Sequence, residues 1–236
     1  MSRTIAVIGA MEEEVAHVAS ALEGVEHDLT PGLDVCRGTV TTNAGETVTI
    51  VATVGGMGLV NAAATTQHLI SVYRPEAVLF SGIAGNLNKT LHVNDVVLGG
   101  TLRYLDTDMR LVGQWTPGTA EHPVEEFHSD ERLLAVAHEA LEAAGTTHKT
   151  GVIASGNYFV DDPAKVAEVI AKTGADAVEM EGAAVAHVAA RNGVPALVVR
   201  ALSDNADTDY EVFKAFDISE YADTAARLTV DIVKRL

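Results

Sequence analysis

A single cysteine, Cys36, among 236 residues leaves no second thiol for an internal disulfide and excludes a multi-cysteine metal site. Basic residues are scarce as well: 16 Lys and Arg stand against 33 Asp and Glu, a formal net charge of −17. A field of that sign repels nucleic acid and anionic membrane, and no basic patch offsets it, so neither is expected as a partner. No apolar run approaches the ~18 residues of a transmembrane helix. The opening residues, Met1-Ser2-Arg3-Thr4, run straight into a strand-like segment and lack the apolar core of a signal peptide. A soluble, cytoplasmic protein is the expectation. Aromatics make up only 5% of the chain and apolar residues 47%, much of it Ala and Val, a mix suited to small-residue helices on a buried parallel sheet. No linker, repeat or low-complexity segment divides it, so residues 1–236 are read as one domain, long enough to bury a sizeable core.

Apolar, β-branched runs predict strands at Thr4–Ile8, Leu33–Val40, Thr47–Val54, Ala77–Phe80, Asp95–Leu98, Thr150–Ala154, Ala175–Val178 and Ala196–Ala201. Helices are predicted over Glu12–Leu22, from a Ser129 cap to Gly145, from Asp162-Pro163 to Gly174, and over Ser219–Leu236. This alternation argues for an α/β fold: a mixed, mostly parallel central sheet flanked by helices.

Three strands deliver acids to their carboxyl ends, where open α/β sheets place their ligand sites. Thr4–Ile8 leads to Glu12-Glu13-Glu14, Ala175–Val178 to Glu179-Met180-Glu181-Gly182, and Ala196–Ala201 to Ser203-Asp204. Each has a plain alternative. Acids in a first helical turn complement the helix dipole without further purpose, although Glu14 shares a face with Met11 and can point inward. Glu179 and Glu181 share a face of an extended chain unless the turn intervenes. Ser203-Asp204 suits an ordinary turn or N-cap, but Arg200 within the same apolar run needs a buried partner. Gly56-Met57-Gly58-Leu59-Val60-Asn61 only half-matches a dinucleotide fingerprint, because Asn61 replaces the last Gly and the segment is not in the first βα turn. The histidines show no metal spacing, His122 and His128 reading as surface residues around Glu125, and Asp106-Thr107-Asp108 reads as a turn.

Together these pieces resemble the 5′-methylthioadenosine/S-adenosylhomocysteine nucleosidase family of the nucleoside phosphorylase superfamily. Ile8-Gly9-Ala10-Met11-Glu12-Glu13-Glu14-Val15 is similar to its opening motif. Val178-Glu179-Met180-Glu181-Gly182-Ala183-Ala184-Val185-Ala186 and Arg200-Ala201-Leu202-Ser203-Asp204 are similar to two others. The resemblance spans essentially the whole chain. It implies a nucleoside phosphorylase-like fold, no cofactor and no metal, a small nucleoside as substrate, and a homodimer in which Asp106–Gly113 completes a neighbour's pocket. It also implies roles: Glu14 as the base that activates water, and Asp204 as the acid at purine N7, supported by Ser203 and Arg200. Glu181 would hold the ribose hydroxyls, with Glu179 beside it and Met180 packed on the sugar and base. Phe159 would stack on the purine and Val160 would read its edge. Ala84 and Gly85 would line the base and ribose, and Met57 the sugar side. Ile83 and Asn86 depart from the pattern, as does Arg110, and either Phe213 or Phe216 would line the 5′ pocket.

The chemistry fits these residue types. Cleaving an N-glycosidic bond builds positive charge on the ribose and requires a protonated leaving purine, a task for one acid and one base. The enzymatic rival is a phosphorylase, which needs cations to clamp phosphate. No Lys or Arg lies between Arg3 and Arg37 or between Arg74 and Lys89, so water is the favoured nucleophile. A non-catalytic nucleoside-binding protein would need the pocket without the three acidic motifs.

Overall fold

The chain pairs β-branched runs into one sheet that is open at one end and closed at the other. The computed structural model describes residues 3–106, 126–206 and 217–236. Its strands are β1 (Arg3–Gly9), β2 (Glu23–Thr30), β3 (Leu33–Thr41), β4 (Thr47–Val54), β5 (Ala77–Asn86), β6 (Val96–Tyr104), β7 (Phe127–His128), β8 (His148–Ser155), β9 (Ala177–Glu179) and β10 (Ala196–Asp204). The helices are α1 (Glu12–Ser20), α2 (Leu59–Tyr73), α3 (Glu131–Ala144), α4 (Pro163–Thr173), α5 (Gly182–Asn192) and α6 (Ser219–Arg235).

The middle of the sheet, β4-β1-β5-β10, is parallel as expected, and antiparallel pairings join β10 to β6, β5 to β9, and β2-β3-β4 to one another. The expected open sheet differs at one end: β5, β10, β6, β8 and β9 pair in a closed ring. The cause is the length of β5. Its residues 77–80 pair with β1, and five and six residues past Phe80 the same edge meets β9 at Gly85 and Asn86. Between these two partners the edge of β5 is unpaired, and the cleft described below opens there.

Alternation along the strands serves two cores. Ala6 and Ile8 of β1 and Val198 of β10 face α2 and α5, whereas Ile5, Val7, Leu197 and Val199 face α1, α3 and α6. Each fully buried Ile or Leu contributes about 1.5–3 kcal/mol. Small residues Ala183, Ala184, Val185, Ala186 and Ala189 let α5 lie close to the sheet.

Several boundaries move. β5, β6 and β10 run beyond their apolar stretches because main-chain pairing does not require apolar side chains. Asp130, not Ser129, caps α3: its Oδ1 accepts from Leu133 N at 3.0 Å, while Ser129 is buried. Pro163 opens α4 and Gly174 closes it as expected, with Asp162 Oδ1 accepting from Ala164 N at 2.8 Å and Lys165 N at 2.9 Å. α1 ends at Ser20 rather than Leu22. β2 has no counterpart among the expected strands; its residues are exposed on both faces and carry no alternation.

Candidate active site

The sheet's carboxyl ends surround a cleft of about 300 Å³. Glu14, Met57, Ile83, Ala84, Gly85, Phe159, Val160, Glu179, Met180, Glu181, Ser203 and Asp204 all line it, together with Ala10, Met11, Asn157, Tyr158 and Val178. Among the described residues given a role in catalysis or in binding the nucleoside, Arg200 is absent from the lining, because it lies fully buried beneath it. Residues 107–113, Phe213 and Phe216, together with His122 and Glu125, lie outside the described residues.

Glu14 sits where β1 turns into α1. Glu12 and Glu13 face solvent, as plain dipole partners would, but Glu14 is only 2% exposed. Its Oε2 accepts from Ala10 N at 2.6 Å and Met11 N at 3.1 Å, capping its own helix. Its Oε1 accepts from Ile83 N at 3.0 Å, an amide that the unpaired edge of β5 leaves available. Burial pushes this carboxyl above its ordinary value, while the nearby Arg200 and the three amides act against that rise. A carboxyl held in this way takes up a proton more readily than one in water.

Arg200 extends from β10 under the cleft. Its Nη2 donates to Glu179 Oε2 and lies 3.6 Å from Glu181 Oε2, and the ring of Phe80 packs 4.1 Å from its guanidinium carbon. This corrects the expectation that Arg200 supports Asp204, since its ion pairs go to the two glutamates. Nε and Nη1 have no hydrogen-bond partner among the described residues. A Cβ on Gly82 would fall onto both Arg200 Nη1 and Glu14 Oε1, so only glycine lets β5 pass between them.

Glu179 ends β9 and Glu181 caps α5, so the turn does intervene between them. They still converge on one cation. Glu179 is an anchor: Oε1 accepts from Ser155 Oγ, and Oε2 accepts from Glu181 N at 3.2 Å and Gly182 N at 2.8 Å. Ser155 Oγ in turn accepts from Ala183 N at 2.8 Å. Ser155 lies one residue past the strand expected over Thr150–Ala154, and a buried hydroxyl carries no periodic signal to mark it. Glu181 Oε1 accepts from Gly58 N at 2.7 Å at the start of α2. Burial first, and the charge of Glu179 second, push its carboxyl up to about 7.

Asp204 closes β10 beyond a register shift. Its Oδ1 accepts from Ala206 N at 2.7 Å and its Oδ2 accepts from Ser203 Oγ at 2.8 Å. Glu14 bonds at Ile83, and Asp204 Oδ1 would lie 3.3 Å from a Cβ on Gly85. These anchor points are two residues, roughly 7 Å, apart along β5.

Residues 4–236 match the family model described as "Phosphorylase superfamily". A 5′-methylthioadenosine/S-adenosylhomocysteine nucleosidase of Bacillus velezensis is 35% identical over 98% of this chain and 99% of its own length. The chain belongs to this nucleosidase family. A nucleosidase of Lysinibacillus sphaericus is 36% identical over 97% of this chain and 96% of its own length. The crystal structure of the nucleosidase from Neisseria meningitidis, in complex with methylthio-immucillin-A, superposes with a TM-score of 0.88 at 32% identity, covering 99% of this chain and 100% of that one. Futalosine hydrolase of Helicobacter pylori superposes with a TM-score of 0.85, also at 32% identity, covering 100% of this chain and 99% of its own.

Proposed function

We propose that the protein hydrolyses the N-glycosidic bond of 5′-methylthioadenosine and/or S-adenosylhomocysteine, releasing adenine and the 5′-thio-ribose. The carrying observation is a cleft lined by both Glu14 and Asp204, with Glu14 bonded to Ile83 N of β5 and no Lys, Arg or His among its described lining residues. Phosphate would find no clamp there, and Arg200 below is already matched by acids. This favours water over the phosphorylase reading, and membership of the nucleosidase family supports the same choice. A purely binding protein would gain nothing from two buried acids whose retention costs stability.

In this reading Glu14 takes a proton from the attacking water, whose oxygen bonds to the anomeric carbon as the bond to purine N9 breaks. Asp204, held by Ser203 and the Ala206 amide, delivers a proton to N7, so the base leaves neutral. Glu181 accepts hydrogen bonds from the ribose hydroxyls, beside Met180 and Met57. Phe159 stacks on the purine, Val160 reads its edge, and Ala84 and Gly85 line the ring. Ile83 gives the cleft an apolar wall next to Glu14. Each proton transfer contributes about 10²–10⁴-fold.

Adenine release from 5′-methylthioadenosine, followed by chromatography, is expected to be equal with and without phosphate. Release only with phosphate, together with a sugar 1-phosphate, would overturn the hydrolase reading. Because a relative of equal identity is named for futalosine, that compound belongs in the same assay, and its preferential cleavage would move the substrate assignment.

The finer reading is a cytoplasmic homodimer of single-domain subunits serving methionine salvage. Met57 at 60% exposure and Tyr158 at 41% line the cleft mouth, and Val60 at 76% stands in the adjoining first turn of α2. Exposed apolar groups gathered there suit burial by a second copy. Light scattering on the eluting peak is expected to give twice the chain mass, and a monomer mass would refute it. Among the described residues no helix is long and apolar enough to cross a membrane.

A further inference from the structure

The glycine-rich turn between β4 and α2 is tied to the cleft from two directions. Gly58 N donates to Glu181 Oε1 at 2.7 Å, and Leu59 N donates to Asn157 Oδ1 at 2.9 Å. Both amides open a helix, where no main-chain acceptor within the helix can serve them. Neither acceptor is close in sequence: Asn157 follows β8, and Glu181 caps α5. The turn has little stiffness of its own, with φ of +84° at Gly56 and +94° at Gly58. Two side chains of α2 also reach it, Asn61 Nδ2 donating to Met57 O at 2.8 Å and Thr65 Oγ1 to Gly55 O at 3.5 Å. A Cβ on Gly58 would lie 3.2 Å from Asn157 Oδ1, so the approach of the two segments is close. Met57 stands at the tip of this turn and lines the cleft with Asn157.

We infer that Asn157 is a positioning residue for nucleoside affinity: its Oδ1 latches the first turn of α2 and so sets Met57 against the sugar side of the cleft. This rests on the nucleosidase reading of the site. Glu181 makes the latch sensitive to substrate, because the carboxylate assigned to the ribose hydroxyls also holds the neighbouring amide. The contact is a minor contributor to fold stability. Asn157 is exposed, and α2 is kept in place by the burial of Ala62, Leu69 and Ile70.

The test is a pair of variants. Asn157→Leu removes the acceptor at similar size, and Asn157→Asp keeps one at a helix N-terminus, where an anion is favoured. For Asn157→Leu, KM for 5′-methylthioadenosine is expected to rise about three- to tenfold, the worth of one neutral hydrogen bond, with kcat within about twofold of the parent. Asn157→Asp is expected to restore KM. An independent reading uses ¹³C-methyl methionine NMR, where only five methionines give signals and Met57→Ala assigns the relevant one. The Met57 methyl is expected to move toward its random-coil position in Asn157→Leu and to stay in place in Asn157→Asp. An unchanged KM, equal defects in both variants, or an unmoved Met57 methyl would overturn the inference. If the parent protein releases no adenine, the nucleosidase reading falls, while the methyl comparison in the free protein still decides the latch.

Discussion

Replacing Arg200 by methionine is expected to destabilise the protein by about 3–5 kcal/mol at pH 8, the usual cost of removing one partner from a buried ion pair. The loss is expected to be smaller at pH 5. Arg200 is fully buried, and Glu14, Glu179 and Glu181 around it are 2%, 7% and 5% exposed. Its positive charge opposes the upward shift that burial imposes on Glu14 and Glu181. Without it those carboxyls hold their protons in the folded state to still higher pH, while the unfolded chain ionises near the ordinary value of 4.5. Groups raised in this way contribute stability below the unfolded value, and that stability is lost as pH rises through the folded one. Methionine fills much of the arginine's volume against Phe80, so the result isolates charge from packing. Urea denaturation at the two pH values is the measurement. Equal losses at both, or a loss under about 1 kcal/mol at pH 8, would show that the three acids do not depend on this cation.

Glu14→Gln is expected to lower kcat by about 10²–10⁴-fold with a small change in KM, since it removes the base and leaves the walls of the cleft in place. Asp204→Asn should fall in the same range through loss of the acid. The glutamine also meets a geometric conflict. Three amides point at the two carboxylate oxygens of Glu14, so an amide nitrogen must face at least one N–H. The variant is therefore less stable than a simple loss of charge would make it. Calorimetric titration with 5′-methylthioadenosine separates the two effects. Binding retained without turnover supports the catalytic roles, whereas kcat within about tenfold of the parent would remove Glu14 or Asp204 from the chemistry.

The acid-bearing turns were legible because a short apolar run followed by charge has few alternatives at a strand end. Local patterning also gave the parallel middle of the sheet, through strand–helix alternation, and the Asp162-Pro163 to Gly174 helix, through its Pro-first, Gly-last ends. It failed at β2, where exposure on both faces erases the period of two. It failed again at the cap of α3, where Ser129 and Asp130 are both good caps and only burial chose between them. Asn157 and Ser155 were invisible as site residues for a different reason. A single polar side chain with a partner many residues away leaves no local pattern.

From the sequence alone came the candidates for the chemistry: Glu14, the Glu179 and Glu181 pair, and Ser203-Asp204, each at the end of an apolar run. Those are local facts, set by strand period and turn preference within a few residues. The tertiary structure decided how they are electrically connected. It moved Arg200 from the expected support of Asp204 to the glutamates, and it used the gap in the edge of β5 to hand Ile83 N to Glu14. It also tied Gly58 and Leu59 to Glu181 and Asn157. Such contacts join segments as much as 123 residues apart. They exist only once the sheet has closed into its ring, because closure is what brings the unsatisfied charges and amides within reach of one another.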